Sequence, residues 1–158
     1  MAHSARGIWH SEDETQAYAQ ALARNPVIRN CYIELKGNLG AGKTTLVRHL
    51  LRALGVSGRI KSPTYAVVEP HEVDDLAIWH FDFYRFNDPQ EWEDAGFRDI
   101  FASPGLKLAE WPDQVAGRLP IPDLSISIEL TGDETRHVYF KAGSETGVSL
   151  IQGLPHAL

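Results

Sequence analysis

Eight consecutive residues, Gly37-Asn38-Leu39-Gly40-Ala41-Gly42-Lys43-Thr44, follow the spacing G-x-x-x-x-G-K-[ST]. That spacing suits the enclosure of a polyphosphate. Small residues let successive backbone N–H groups curl around an oxyanion, the Lys43 ammonium reaches the outer phosphates, and the Thr44 hydroxyl is offered to a magnesium ion. Gly37 through Thr45 are therefore assigned to nucleotide binding, with a nucleoside triphosphate and Mg²⁺ as the expected ligands. A loop of this kind also needs an acid at the C-terminal end of a neighbouring strand, to hold the cation or orient water. Asp82 closes the run Ala77-Ile78-Trp79-His80-Phe81, and Glu110 closes Leu106-Lys107-Leu108-Ala109. Lys43, Asp82 and Glu110 are the expected catalytic groups, and Thr44, Asp82 and Glu110 the expected metal-side groups.

A phosphate-binding loop must join a strand to a helix, and both flanks comply. Val27, Ile28, Cys31, Tyr32, Ile33 and Leu35 form an apolar, β-favouring run that ends where the glycines begin. Glu34 and Lys36 belong at its ends or on a partly open face. Beyond the loop, Leu46, Val47, Leu50, Leu51 and Leu54 recur with helical spacing, and Gly55 stands where a glycine would end that helix. Bound phosphates would then lie at a helix N-terminus, where the dipole and unpaired N–H groups favour anions.

The other elements follow from local patterns. Ser11-Glu12-Asp13-Glu14 reads as a capping box opening a helix that stops near Asn25, before Pro26. Residues 57–64 are rich in turn formers, and Tyr65 to Val68 predicts a strand. Ala77 to Phe83 and Leu106 to Ala109 predict two more strands, with Pro89 to Phe101 mostly helical between them. Leu124 to Leu130 and His137 to Phe140 alternate as antiparallel strands, and a short helix is expected within Gly143 to Leu158. The expected architecture is a three-layer αβα fold of the P-loop NTPase kind. Its mixed sheet has a parallel core and antiparallel C-terminal strands.

With 158 residues, 43% hydrophobic and 23% charged, the chain reads as one globular domain over 1–158, without room for a separate substrate domain. No apolar run approaches the roughly 20 residues needed to cross a bilayer, and Met1 to His10 lacks a signal-type apolar core, so a cytoplasmic location is expected. The single Cys31 lies in the predicted first strand and packs as a small apolar residue. Seven scattered histidines show no metal-ligand spacing and are assigned to surface or packing roles. The net charge of −6 conceals an uneven distribution. Between Glu34 and Glu69 stand Lys36, Lys43, Arg48, Arg52, Arg59 and Lys61 and no acid. A basic loop and helix of this kind focuses a triphosphate, whereas the acidic remainder disfavours an independent nucleic-acid surface.

The loop, Ser62-Pro63-Thr64-Tyr65, His80-Phe81-Asp82-Phe83-Tyr84-Arg85 and Glu110-Trp111-Pro112, in this order and at these separations, resemble the TsaE family, formerly YjeE. The resemblance runs from about Ser11 to Arg136. It implies a cytoplasmic ATPase in the system that makes N6-threonylcarbamoyladenosine beside the tRNA anticodon. It also implies assembly with TsaB and TsaD subunits, TsaD performing the transfer and tRNA being reached through these partners. By matching position, Lys43 and Thr44 bind phosphate and Mg²⁺, and Thr64 sits in a switch-like loop that senses the γ-phosphate. Glu110 is the metal-side acid and Asp82 contacts nucleotide or positions water, with the reverse assignment left open. Trp111, Ser11, Thr15 and Arg136 are placed at the nucleotide. Asn38 departs from the family, where Asp is common, and removes a negative charge beside the phosphates.

Two alternatives stand beside this reading. A small metabolite kinase would need a lid, for which Arg85, Arg98 and Arg118 are available, although the acidic stretch from Glu69 to Asp94 would repel an anionic acceptor. A nucleotide-gated binding module would bind ATP with only incidental turnover. A GTPase is disfavoured because the chain contains no N-K-x-D tetrapeptide.

Overall fold

The computed structural model describes residues 3–63, 65–132 and 134–155. Its frame is a seven-stranded sheet made of β1 (Ser4–Trp9), β2 (Cys31–Lys36), β3 (Val68–Val73), β4 (Leu76–Asp82), β5 (Leu106–Glu110), β6 (Leu124–Thr131) and β7 (Thr135–Ala142). The order across the sheet is β1-β7-β6-β2-β5-β4-β3. Strands β6, β2, β5 and β4 run parallel, while β7 and β1 on one side and β3 on the other are added antiparallel. The expected mixed sheet is therefore present, with one refinement. β6 and β7 pair antiparallel with each other, but β6 itself joins β2 in parallel.

Alternation along the central strands sorts their side chains to two faces. On one face Ile33, Leu35, Ile78, Leu106, Leu108 and Ile126 form a core with helices α1 (Glu12–Arg24), α2 (Lys43–Leu54) and α5 (Glu145–Gln152). On the other, Tyr32, Phe81 and Ala109 pack with Trp92 and Phe97 beneath the short helices α3 (Gln90–Asp94) and α4 (Arg98–Ala102). These are the three expected layers. The second face is left open over part of β2, where Ser125 donates to Glu34 at 2.9 Å and Lys36 lies 3.6 Å from Glu34 and 3.7 Å from Asp113. Two charged residues are thus accommodated in an otherwise buried strand.

Helix α2, which the loop feeds, ends as its sequence predicts. Gly55 has φ 108°, its N–H donates to the Arg52 carbonyl at 3.0 Å, and the Val56 N–H reaches the Leu51 carbonyl at 3.0 Å. These two bonds are the Schellman pattern, available to glycine because the left-handed conformation carries no Cβ penalty. Ser11 is the N-cap of helix α1, as its sequence predicts, but the capping box does not form. Glu14 accepts from the His10 N–H at 2.9 Å, whereas the Ser11 side chain makes no cap bond.

Several elements depart from the sequence expectations. Val27 and Ile28 lie in a 3₁₀ turn, Pro26–Arg29, because Pro26 presets a turn and Asn25 caps it through the Val27 N–H at 3.2 Å. β1 has no counterpart among the expected strands, since its alternation is short and its partner β7 lies about 130 residues away in the sequence. The strand expected at Tyr65 to Val68 begins only at Val68 and continues through Pro70, which an edge strand tolerates. The helix expected over Pro89 to Phe101 is split around Gly96, whose φ is 73°. Cys31 is buried in the core as expected, and burial pushes its thiol pKa up.

Candidate functional site

Gly37 begins the loop at the end of β2 and has φ 151°; a Cβ there would lie 2.5 Å from the Ile128 carbonyl oxygen, so a neighbouring main chain leaves no space for a side chain. At the far end Gly42 precedes α2 with φ 113°. Arg136, at the start of β7, donates from Nε to the Ala41 carbonyl at 2.6 Å and lies against Gly42. The loop thus wraps the start of a twelve-residue helix, the arrangement that favours anions.

Period-two alternation on β4 and parallel register with β5 set the acids. Asp82 pairs with Glu110 across the two strands, and His80 precedes Asp82 on the same face. Both acids face α2. The Thr44 hydroxyl donates to Glu110, at 3.0 Å from Oε1 and 3.3 Å from Oε2. On the other side, His80 Nε2 lies 2.6 Å from Glu110 Oε2, with His80 1% and Glu110 2% exposed. Asp82 instead accepts from the Tyr84 N–H at 2.9 Å. Burial raises the Asp82 carboxyl above its ordinary pKa; the Tyr84 bond opposes this, the Glu110 charge adds to it, and His80 and Lys43 oppose it.

Lys43 is 5% exposed, its ammonium donating to the Gly37 carbonyl and standing 3.5 Å from the centre of the Trp111 ring. Burial lowers its proton affinity, and the charges of Glu110 and then Asp82 raise it again. Trp111 reaches this position through a left-handed backbone, φ 57° and ψ 48°, immediately after Glu110. For a bulky residue that conformation costs about 1–2 kcal/mol. Its ring also packs 4.9 Å from that of Tyr84.

A cavity of about 270 Å³ joins these parts, lined by residues 39–45 together with Asp82, Tyr84, Glu110, Trp111 and Arg136. A larger groove of about 1010 Å³ runs along the outer side of the loop over β1, β6 and β7, away from the acids. The smaller cavity gathers the polar groups that converge on one point. The structure thus brings together Lys43, Thr44, Thr45, Asp82, Glu110, Trp111 and Arg136. Gly37 and Asn38 lie on the outer side, lining the larger groove. Ser11 is an exposed residue at the start of α1, and Thr15 is buried at 4% exposure; neither lines the smaller cavity. Thr64 lies outside the described residues. Sequence reasoning gives His80 only a surface or packing role, whereas the fold buries it against Glu110. Its position two residues before Asp82 in a strand was the sequence signal for a side chain on the same face.

A mixed sheet whose parallel core carries a glycine-rich loop from β2 into α2, with strand-end acids alongside, defines a protein of the P-loop NTPase fold. The family model described as "Threonylcarbamoyl adenosine biosynthesis protein TsaE" matches residues 9–138, and the chain belongs to that family. The tRNA threonylcarbamoyladenosine biosynthesis protein TsaE of Haemophilus influenzae is 37% identical over 134 residues, 85% of this chain and 84% of that one. The protein of the same description from Bacillus subtilis is 36% identical over 110 residues, 70% and 68% of the two chains. The crystal structure of Bacillus subtilis YdiB superposes with a TM-score of 0.78 at 27% identity, covering 96% of this chain and 94% of that one. Among the described residues no helix is long and apolar enough to cross a membrane.

Proposed function

We propose that this chain is the Mg²⁺-dependent, ATP-binding and ATP-hydrolysing subunit of tRNA N6-threonylcarbamoyladenosine formation. In this reading it acts with TsaB and TsaD subunits, and TsaD performs the transfer. The observation that carries the nucleotide reading is the contact of the Thr44 hydroxyl with the buried Glu110 carboxylate beneath a glycine loop that also holds Lys43. The partners and the modification reaction rest on family membership.

The donor set fits the cation. Thr44 and Glu110 present oxygen, which suits a hard ion such as Mg²⁺. Among the described residues no cluster of three His, Cys, Asp or Glu side chains that could hold a metal occurs. Mg²⁺ bound here would take its remaining ligands from phosphate and water, as it commonly does at nucleotide sites. When bound, it would neutralise charge developing on the phosphoryl oxygens.

The chain's own groups divide the remaining work. Backbone N–H groups of the loop and the α2 N-terminus bind the phosphates. Lys43, already short of water, would exchange a carbonyl and a ring face for phosphate oxygens. Glu110 holds Thr44 in place on the metal side. Asp82, its proton affinity raised by burial, is the acid placed to orient water or accept its proton. Arg136 is the one arginine among the cavity-lining residues, and it is engaged with the Ala41 carbonyl. An arginine finger can be worth roughly 10³–10⁵ in rate. Intrinsic hydrolysis is accordingly expected to be slow and to rise when partners order or complete the site.

The test is ATP turnover by the purified chain, alone and with TsaB and TsaD, following ADP, inorganic phosphate and modified tRNA. Release of ADP with inorganic phosphate, stimulated by the partners and required for sustained modification, is the expected result. Transfer of the phosphoryl group to a metabolite would establish the kinase instead, and failure of the folded chain to take up adenine nucleotide would end the proposal.

A further inference from the structure

Three side chains from three elements meet behind the loop: Thr44 of α2, Glu110 of β5 and His80 of β4. The proposed chemistry uses the first two and leaves the third without a part. His80 and Glu110 are a diagonal pair on adjacent strands, because Leu108 stands opposite His80 and Glu110 opposite Asp82. One carboxylate oxygen of Glu110 lies 2.6 Å from His80 Nε2 and the other 3.0 Å from the Thr44 hydroxyl. A glutamate side chain has several rotatable bonds, so two anchors on different elements leave it little freedom.

The hydrogen must sit on Nε2, because the carboxylate opposite can only accept. His80 Nδ1 is buried and without a hydrogen-bond partner among the described residues. Nε2 is thus the ring nitrogen that donates to Glu110.

We propose that His80 is a positioning residue, whose Nε2–H fixes one oxygen of Glu110 so that the other faces the Thr44 hydroxyl and the cation beside it. The inference deepens the proposed Mg²⁺-nucleotide site and rests on that reading. An imidazole that orients a carboxylate on the metal side is an outer-shell partner, and loss of such partners typically costs 10–100-fold in metal affinity or activity. It contributes no atom to the reaction.

Mn²⁺ uptake by the ADP-loaded full chain, followed by electron paramagnetic resonance, reads the effect without turnover. His80→Phe fills the space without a donor and is expected to raise the half-saturating Mn²⁺ concentration about 10–100-fold. His80→Gln, whose amide can donate at similar reach, should recover most of the loss, and the shorter His80→Asn should not. ADP binding in EDTA should be the same in all four proteins. If His80→Phe loses its native circular dichroism, the ordering of Gln above Asn decides. Unchanged Mn²⁺ affinity in a folded Phe variant, or equal loss in Gln and Asn, would overturn the role of His80 alone. Wild-type protein that binds no ADP, or takes up no Mn²⁺ once loaded, would overturn the nucleotide-site reading and this inference with it.

Discussion

Replacing Glu110 by Gln separates the charge of this acid from its shape. Glu110 is 2% exposed and accepts from Thr44 and from His80. The amide is isosteric: its oxygen can accept from His80, and its NH₂ can donate to the Thr44 hydroxyl, which rotates to accept. Two charge-assisted bonds of about 1.5–3 kcal/mol each become neutral ones of about 0.5–1.5 kcal/mol, a loss of roughly 2–3 kcal/mol in total. Against this stands the effective penalty of burying a carboxylate, several kcal/mol, which the variant no longer carries. The two contributions nearly cancel, so stability should change by no more than about 1 kcal/mol, a shift of roughly 2–4 °C in Tm for a chain of this size. Function is not protected in the same way. The site loses a negative charge, and the Thr44 lone pair offered to the cation is now engaged by an amide. Hydrolysis should fall by at least about 100-fold, the range seen when one preorganised electrostatic group is removed from a reacting centre. Thermal unfolding by circular dichroism and phosphate release, measured on the same preparation, check both halves. A variant that hydrolyses ATP like the wild type would refute the role assigned to Glu110. A variant destabilised by several kcal/mol would refute the hydrogen-bond accounting.

Asp82→Asn keeps an acceptor for the Tyr84 N–H while removing a carboxyl whose pKa burial raises. The folded wild type therefore holds this proton more tightly than the unfolded chain. The Asp82 contribution to stability is greatest at low pH and is lost as pH rises from the ordinary value of 3.8 through the raised native one. The variant should match or exceed the wild-type Tm at pH 7, lack that part of the pH slope, and bind but not hydrolyse ATP; a lower Tm at pH 7 than at pH 4 relative to wild type would contradict the sign. Lys43→Ala removes an ammonium whose burial lowers its pKa, so the fold should survive while ATP affinity and turnover collapse, as calorimetry and phosphate release would show. Gly42→Ala must adopt φ 113° and place its Cβ 2.8 Å from Arg136 Nε. The backbone alone costs about 1–2 kcal/mol. Displacement of Arg136 from the Ala41 carbonyl should add a loss of nucleotide binding, and wild-type affinity in this variant would argue against the loop geometry described.

The sequence by itself determined the loop, its two flanking elements and the identity of the strand-end acids. The reason is that each is a local pattern: glycines at fixed offsets, a 3.6-residue apolar repeat closed at Gly55, and apolar runs that end in Asp82 and Glu110. It also carried enough residues in order to indicate the family. Tertiary structure alone decided which acid touches Thr44. Asp82 and Glu110 look equivalent along the chain, and only parallel pairing of β4 with β5, seated under α2, gives Glu110 to the hydroxyl and leaves Asp82 to its own Tyr84 turn. The same holds for His80, whose partner is 30 residues away, and for Trp111, brought over Lys43 by a left-handed backbone that no propensity foretells. Strand β1 is the plainest case. Its short alternation is too weak to read alone, and it becomes a strand because β7 offers an unpaired edge after a connection of more than a hundred residues.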